Sequence, residues 1–164
     1  MAQTVHLKLV IAGNEIEGEC TSLGRENSIE CLSFRAGVMS PIDTTITRVP
    51  VKGGRTTGRH QHSPITILKK INKSSPLILK ALCQNERIDS AEFQFYRTDM
   101  AGSDENFFTI LVENGFISKV EQISQAESIE GHMDFPVEEV EISYSRIKWT
   151  SIADSIEYAD NDLR

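Results

Sequence analysis

His60 and His62 are the residues with the most chemical potential in this chain. They flank Gln61, and on an extended backbone that spacing turns two imidazoles to one face, as a metal site requires. No carboxylate or cysteine cluster accompanies them in sequence, so a structural or interface role is preferred and no metal ligand is assigned. The run Gly53, Gly54, Arg55, Thr56, Thr57, Gly58 has the composition of a phosphate loop. It lacks the Gly-Lys-Ser/Thr ending, and no strand-to-helix transition surrounds it. No Gly-x-Ser-x-Gly elbow occurs, and no pair of carboxylates is singled out for hydrolysis. His6 falls in the first strand and is expected at a surface or interface; His132 is expected in a solvated loop. Cys20, Cys31 and Cys83 are odd in number and lack metal-like spacing. They are expected as reduced thiols, with Cys83 in the core. No catalytic residue and no cofactor is assigned, and the chain does not read as an enzyme.

The elements around these residues are mostly strands. Val5 to Ile11, Ser28 to Phe34, Thr45 to Val49, Pro64 to Ile71, Ala91 to Thr98, Asn106 to Glu113, Phe116 to Ile123 and Val137 to Thr150 carry β-branched or alternating patterns. Asn114-Gly115 between two of them predicts a hairpin turn. In the last run Val140, Ile142 and Tyr144 alternate, whereas Ile147 and Trp149 take the other parity, which predicts a bulge near Ser145 and Arg146. One helix is predicted, from Pro76 to Gln84: Ser74 can cap it, Pro76 suits its first turn, and Leu77, Ile78, Ala81 and Leu82 share a stripe. Phe93, Phe95, Phe107 or Phe108, Phe116 and Trp149 are expected in the core. The fold class is therefore mainly β, a compact antiparallel β-barrel or double sheet with one flanking α-helix. The 164 residues form one domain, with an extended basic loop at 50–60 and an acidic C-terminal tail at 154–164.

Charge separates function classes. The net charge of −7 argues against a nucleic-acid partner. No apolar run is long enough to span a membrane, and the N-terminus, broken by Lys8, lacks a signal peptide's layout. Between Thr44 and Asn85 there are eight basic residues and no acid; between Val120 and Ser145 there are seven acids and no Lys or Arg. Complementary patches favour head-to-tail contact between copies, which closes into rings or extends into filaments. Lys52, Arg55 and Arg59 are the expected interface residues, with Glu138, Glu139 and Glu141 as their complements.

Several stretches resemble the haemolysin-coregulated protein (Hcp) family. They are Gly58-Arg59 through His62-Ser63-Pro64, Lys70 through the Ser74-Ser75-Pro76-Leu77 run, Lys80-Ala81-Leu82, Ala91-Glu92-Phe93 and Phe95-Tyr96-Arg97. Ile16 to Glu19, Leu23 to Glu26 and Ser28 to Cys31 look like that family's first strands. Phe107 to Thr109, Ile117-Ser118, Glu138 to Val140 and Ile147 to Trp149 look like its last. The end departs from the pattern: Asp154-Ser155 is followed by Ile156-Glu157-Tyr158, where many relatives have a Trp.

The resemblance implies a structural protein of type VI secretion, with a fold like that of phage tail tubes. Its subunits would form hexameric rings that stack into an inner tube, with a spike protein and a sheath as partners and effector proteins as lumen cargo. It also implies a chain made in the cytoplasm and exported by the apparatus without a cleaved signal. The alternative is a monomeric β-barrel carrier or chaperone for an effector, which predicts an apolar pocket.

Overall fold

A computed structural model of the chain describes residues 3–40, 60–124 and 135–161. Thr45 to Val49, most of the 50–60 loop including Lys52, Arg55 and Arg59, and His132 lie outside these residues. The strands are β1 (Gln3–Ile11), β2 (Asn14–Ile16), β3 (Ile29–Cys31), β4 (Ser33–Arg35), β5 (Val38–Met39), β6 (Gln61–His62), β7 (Ile65–Lys70), β8 (Ile88–Thr98), β9 (Asp104–Ile123), β10 (Val137–Ser143), β11 (Arg146–Ser151) and β12 (Ile156–Asn161). The helix α1 (Ser75–Cys83) lies between β7 and β8.

Alternation explains which faces meet. On β8, Ala91 and Phe93 are fully buried, and burying a side chain such as Phe93 contributes on the order of 1.5–3 kcal/mol. Leu7 and Leu9 of β1, Ile65 and Ile67 of β7, Val112 of β9, Val140 and Ile142 of β10, and Ile147 of β11 complete the same core. The aromatic stripe divides. Phe95, Phe108 and Trp149 pack on this core, but Phe116 is exposed. From α1, Ile78 and Ala81 enter the core, whereas Leu77 is exposed because it falls off the inward face. Cys83, expected inside, is exposed at the helix's last turn, while burial pushes the Cys31 thiol up to about 12.

All pairings are antiparallel, and the ladder runs β2-β1-β8-β9-β10-β7-β4, with β11 and β12 continuing from β9. Among the described residues it is a double sheet that does not close into a barrel. Ile29–Cys31 bonds to β1 and Ser33–Arg35 bonds to β7, so this short run bridges the two sheets after a break at Leu32.

The Asn114-Gly115 hairpin does not form. Both residues lie inside the continuous 20-residue strand β9. Its first half pairs with β8 and β11, and its second half with β10. Asn114 takes the left-handed conformation (φ 55°) at this corner. A Cβ at Gly115 would sit 2.2 Å from the Ser143 carbonyl oxygen, so only glycine lets the two backbones approach. The same residue types that favour a turn therefore favour a bend in a strand. The parity change near Ser145 is the matching corner: β10 ends at Ser143 and β11 starts at Arg146, so the chain changes sheet rather than bulging within one strand. Residues 156–161, read as part of an acidic tail, form β12, which pairs with β11 from Arg146↔Asn161 to Ser151↔Ile156.

Candidate functional site

Two carboxylate clusters stand out, and the first explains the Ser-Ser-Pro motif. Glu138 on β10 is the direct register partner of Lys69 on β7, and both side chains are fully buried. Glu138 Oε1 accepts hydrogen bonds from Lys69 Nζ and from Ser75 Oγ at 2.6 Å. Its Oε2 accepts from Gln122 Nε2 at 3.1 Å. Lys69 Nζ also donates to Ser75 Oγ at 3.1 Å and to the Lys70 carbonyl at 2.9 Å. Burial pushes the Glu138 carboxyl up, but the hydrogen bonds from Lys69, Ser75 and Gln122 outweigh it and hold it below the ordinary glutamate value. Ser74 makes no side-chain cap; instead Asn72 Oδ1 accepts from the Ser74 amide at 3.0 Å and the Ser74 hydroxyl at 2.6 Å. The motif thus fastens the start of α1 to the sheet.

This geometry corrects the charge reading. Glu138 does not face a neighbouring subunit, because its partner Lys69 lies across a β ladder in the same chain. Glu139 is half-buried and bonds to Lys119 at 3.1 Å, and Glu141 is half-buried on the same strand. Lys69 and Lys70 of the basic run lie on β7 beside β10, which carries Glu138, Glu139 and Glu141 of the acidic run.

The second cluster joins His60, His62 and Asp160. Asp160 Oδ2 lies 2.5 Å from His60 Nε2 and 2.7 Å from His62 Nε2. All three candidate donor atoms fall within 4.8 Å of one another. The His62 side chain is 7% exposed, Asp160 15% and His60 49%. Tyr144 Oη sits 3.3 Å from His62 Nδ1 and donates to the Ser63 carbonyl at 3.2 Å. The His62 ring stacks on Trp149, and Trp149 stacks on Tyr158. Burial pushes the Asp160 carboxyl up, yet hydrogen bonds from His62 and His60 hold it below the ordinary aspartate value. The sequence reading found the two histidines but not their carboxylate, which arrives on β12 from 98 positions beyond His62.

His6 is a third departure: it is buried, not at a surface. Ser28 Oγ donates to the Arg25 carbonyl at 2.6 Å, leaving a lone pair for His6 Nδ1–H at 3.1 Å. His6 Nε2 then accepts from Arg25 at 3.4 Å, and Arg25 pairs with Asp104 at 2.8 Å. Burial, followed by the Arg25 guanidinium, pushes the His6 imidazole below its ordinary value, so it is neutral.

A strand edge and a cavity are open at the surface. Among the described residues, β12 pairs only with β11, which leaves its outer backbone edge open, and Ile156 and Tyr158 on it are exposed. A cavity of about 530 Å³ opens between Phe34, Val38, Phe95, Phe108, Tyr144 and Trp149.

Comparison with known proteins agrees along most of the chain. Residues 8–151 match the family model described as type VI secretion system effector, Hcp. The chain is similar to the major exported protein of Pseudomonas aeruginosa, with 32% identity over 146 residues that cover 87% of this chain and 81% of the relative. It is also similar in structure to a double tryptophan variant of the Hcp1 protein from the E. coli EAEC 042 pathovar. There the TM-score is 0.84 at 30% identity, covering 98% of this chain and 99% of that one. A crystal structure of an Hcp protein superposes with a TM-score of 0.85 at 26% identity, over 99% of both chains.

Proposed function

The chain belongs to the Hcp family of type VI secretion tube proteins, a structural rather than an enzyme family, and on that premise we propose that it is a subunit of the inner tube. Copies join head to tail into hexameric rings, and the rings stack into a tube that is exported and carries effector proteins in its lumen. The observation that carries this reading is the match over residues 8–151 together with the open β12 edge. An unpaired strand edge is a template for another chain, and a ring uses two different edges of each subunit. Export of this chain is supported by its similarity to the major exported protein of P. aeruginosa. The spike and the sheath are its partners in the apparatus, and no catalytic step is assigned to it.

Lys52, Arg55 and Arg59 remain the proposed interface cations, with Glu139 and Glu141 as complements; Glu138 is withdrawn from that set because it is consumed within the subunit. Native mass spectrometry at low and moderate salt tests the proposal. A dominant hexamer is expected, loosened by salt and by charge reversal at Arg55 and Arg59. A monomer at every concentration would overturn it. That result would favour the second reading, a carrier module, which the 530 Å³ apolar-lined cavity supports.

A further inference from the structure

We propose that His60, His62 and Asp160 form a binding site for one divalent transition metal ion of the zinc class. Two imidazole nitrogens and one carboxylate oxygen are a donor set that zinc accepts, with water completing the tetrahedron. They come from two elements far apart in sequence, β6 with its preceding residue and β12, so the fold and not local spacing brings them together. Their ligand atoms already lie within 4.8 Å of one another, so modest side-chain movements bring them around one ion.

The surroundings fit a metal site better than a surface ion pair. His62 is fixed on three sides, by Asp160, by the Trp149 ring and by Tyr144. The Tyr144 hydroxyl donates to the Ser63 carbonyl and has a lone pair free for His62 Nδ1–H. Without an ion, Nε2–H donates to Asp160; when an ion displaces that proton, such a second partner holds the remaining proton on Nδ1 and leaves Nε2 as the ligand. His60, half exposed, gives the ion a way in and a ligand that can move. Movement is needed: ligand atoms around a tetrahedral zinc stand roughly 3.3 Å apart, so each imidazole must retreat from Asp160 by about 0.7 Å. Oδ2 is now shared by two ring nitrogens, and an ion placed between them would replace both hydrogen bonds with shorter-range coordination. Occupancy would tie β6 to β12 and so brace the C-terminal edge strand.

Trp149 is the only tryptophan in the chain and stacks on a proposed ligand, so it reports on the site directly. The full-length protein, stripped with chelator, is titrated with Co²⁺ while Trp149 fluorescence and the visible Co²⁺ spectrum are followed; Zn²⁺ is then added in competition. The expected result is saturable quenching at one ion per chain, a low-coordinate Co²⁺ spectrum without thiolate bands, and displacement by Zn²⁺. Affinity falls with falling pH, because protons compete for the imidazoles. Asp160→Asn should weaken binding at least about 100-fold, and Tyr144→Phe about 10-fold, as loss of an outer partner does. Near-ultraviolet circular dichroism confirms that each variant is folded, and His60→Gln, at an exposed position, serves if Asp160→Asn is not. No saturable quenching, or quenching that survives both Asp160→Asn and His60→Gln, would overturn the proposal. Thiolate bands that vanish in Cys83→Ser would do the same by moving the ion to that exposed cysteine.

Discussion

The Lys69–Glu138 pair and the His60–His62–Asp160 cluster both bring a carboxylate against cationic or ionisable nitrogen, yet they are built for opposite ends. Around Glu138 an ammonium and a serine hydroxyl fill Oε1, a glutamine amide bonds to Oε2, and no side-chain surface of the pair reaches water. Such a pair has already given up its hydration, so its value lies in staying intact. Around Asp160 one oxygen serves two rings, one of which is half exposed. That arrangement is incomplete and accessible. Saturation makes the first a fastening for α1; incompleteness makes the second open to a ligand.

The largest expected effect comes from breaking the saturated cluster. Glu138→Ala should destabilise the subunit by about 3–5 kcal/mol in chemical denaturation, because Lys69 is left charged and buried. Adding Lys69→Met should restore much of the loss, since two apolar residues leave no orphaned charge. A cost for Glu138→Ala near that of an exposed pair would erase the distinction between the clusters.

Acid titration sharpens the comparison next. Glu138 has a folded-state value held below the ordinary 4.5, so the unfolded chain takes up that proton first. Its contribution to stability is present above pH 4.5 and is lost as the pH falls from there. His6 acts in an earlier window. Its folded value lies below the ordinary 6.5, so stability should already decline as the pH falls below 6.5, and His6→Gln should flatten that part of the curve. Thermal melts from pH 8 to 2 on the unaltered protein, Glu138→Ala and His6→Gln would separate the windows. A single transition common to all of them would refute both assignments.

Smaller effects belong to the open cluster and the surface. Asp160→Asn should cost less than about 1 kcal/mol in stability without metal, as partly solvated pairs do. Its failure to bind ions, not its unfolding, is the informative loss. Lys119→Ala removes an exposed cation shared by Glu139 and Glu121 and should leave the denaturation midpoint unchanged.

These contrasts also explain what could be read from the sequence. Strands and core were legible where alternation was strong, as at Ala91 and Phe93, because a half-buried strand must alternate. The helix was legible from its Ser-Ser-Pro start, although Ser75 turned out to serve the buried pair rather than Ser74 a cap. Corners were not legible: Asn114-Gly115 has the chemistry of a turn and the geometry of a bend. Nor was β12, whose Ile156, Glu157 and Tyr158 are all exposed and so lack the buried partner that makes a period visible. Both clusters depend on cross-strand register between segments far apart, which local spacing does not encode. Two runs of opposite charge look like two surfaces until the ladder pairs Lys69 with Glu138.

The pairing of β1 has a consequence for how the chain is made. One side of β1 is covered early, by β2 and β3, but the other waits for β8, whose first residue is Ile88. At bacterial elongation rates of about 5–20 residues per second, that edge stands open on the ribosome for roughly 4–15 s. Under the proposed assembly through strand edges, the nascent chain therefore passes through a sticky stage before it has a complete fold. Polysome crowding, rather than the stability of the finished subunit, would then limit the yield of correctly assembled protein, and slowing translation initiation should raise the soluble fraction.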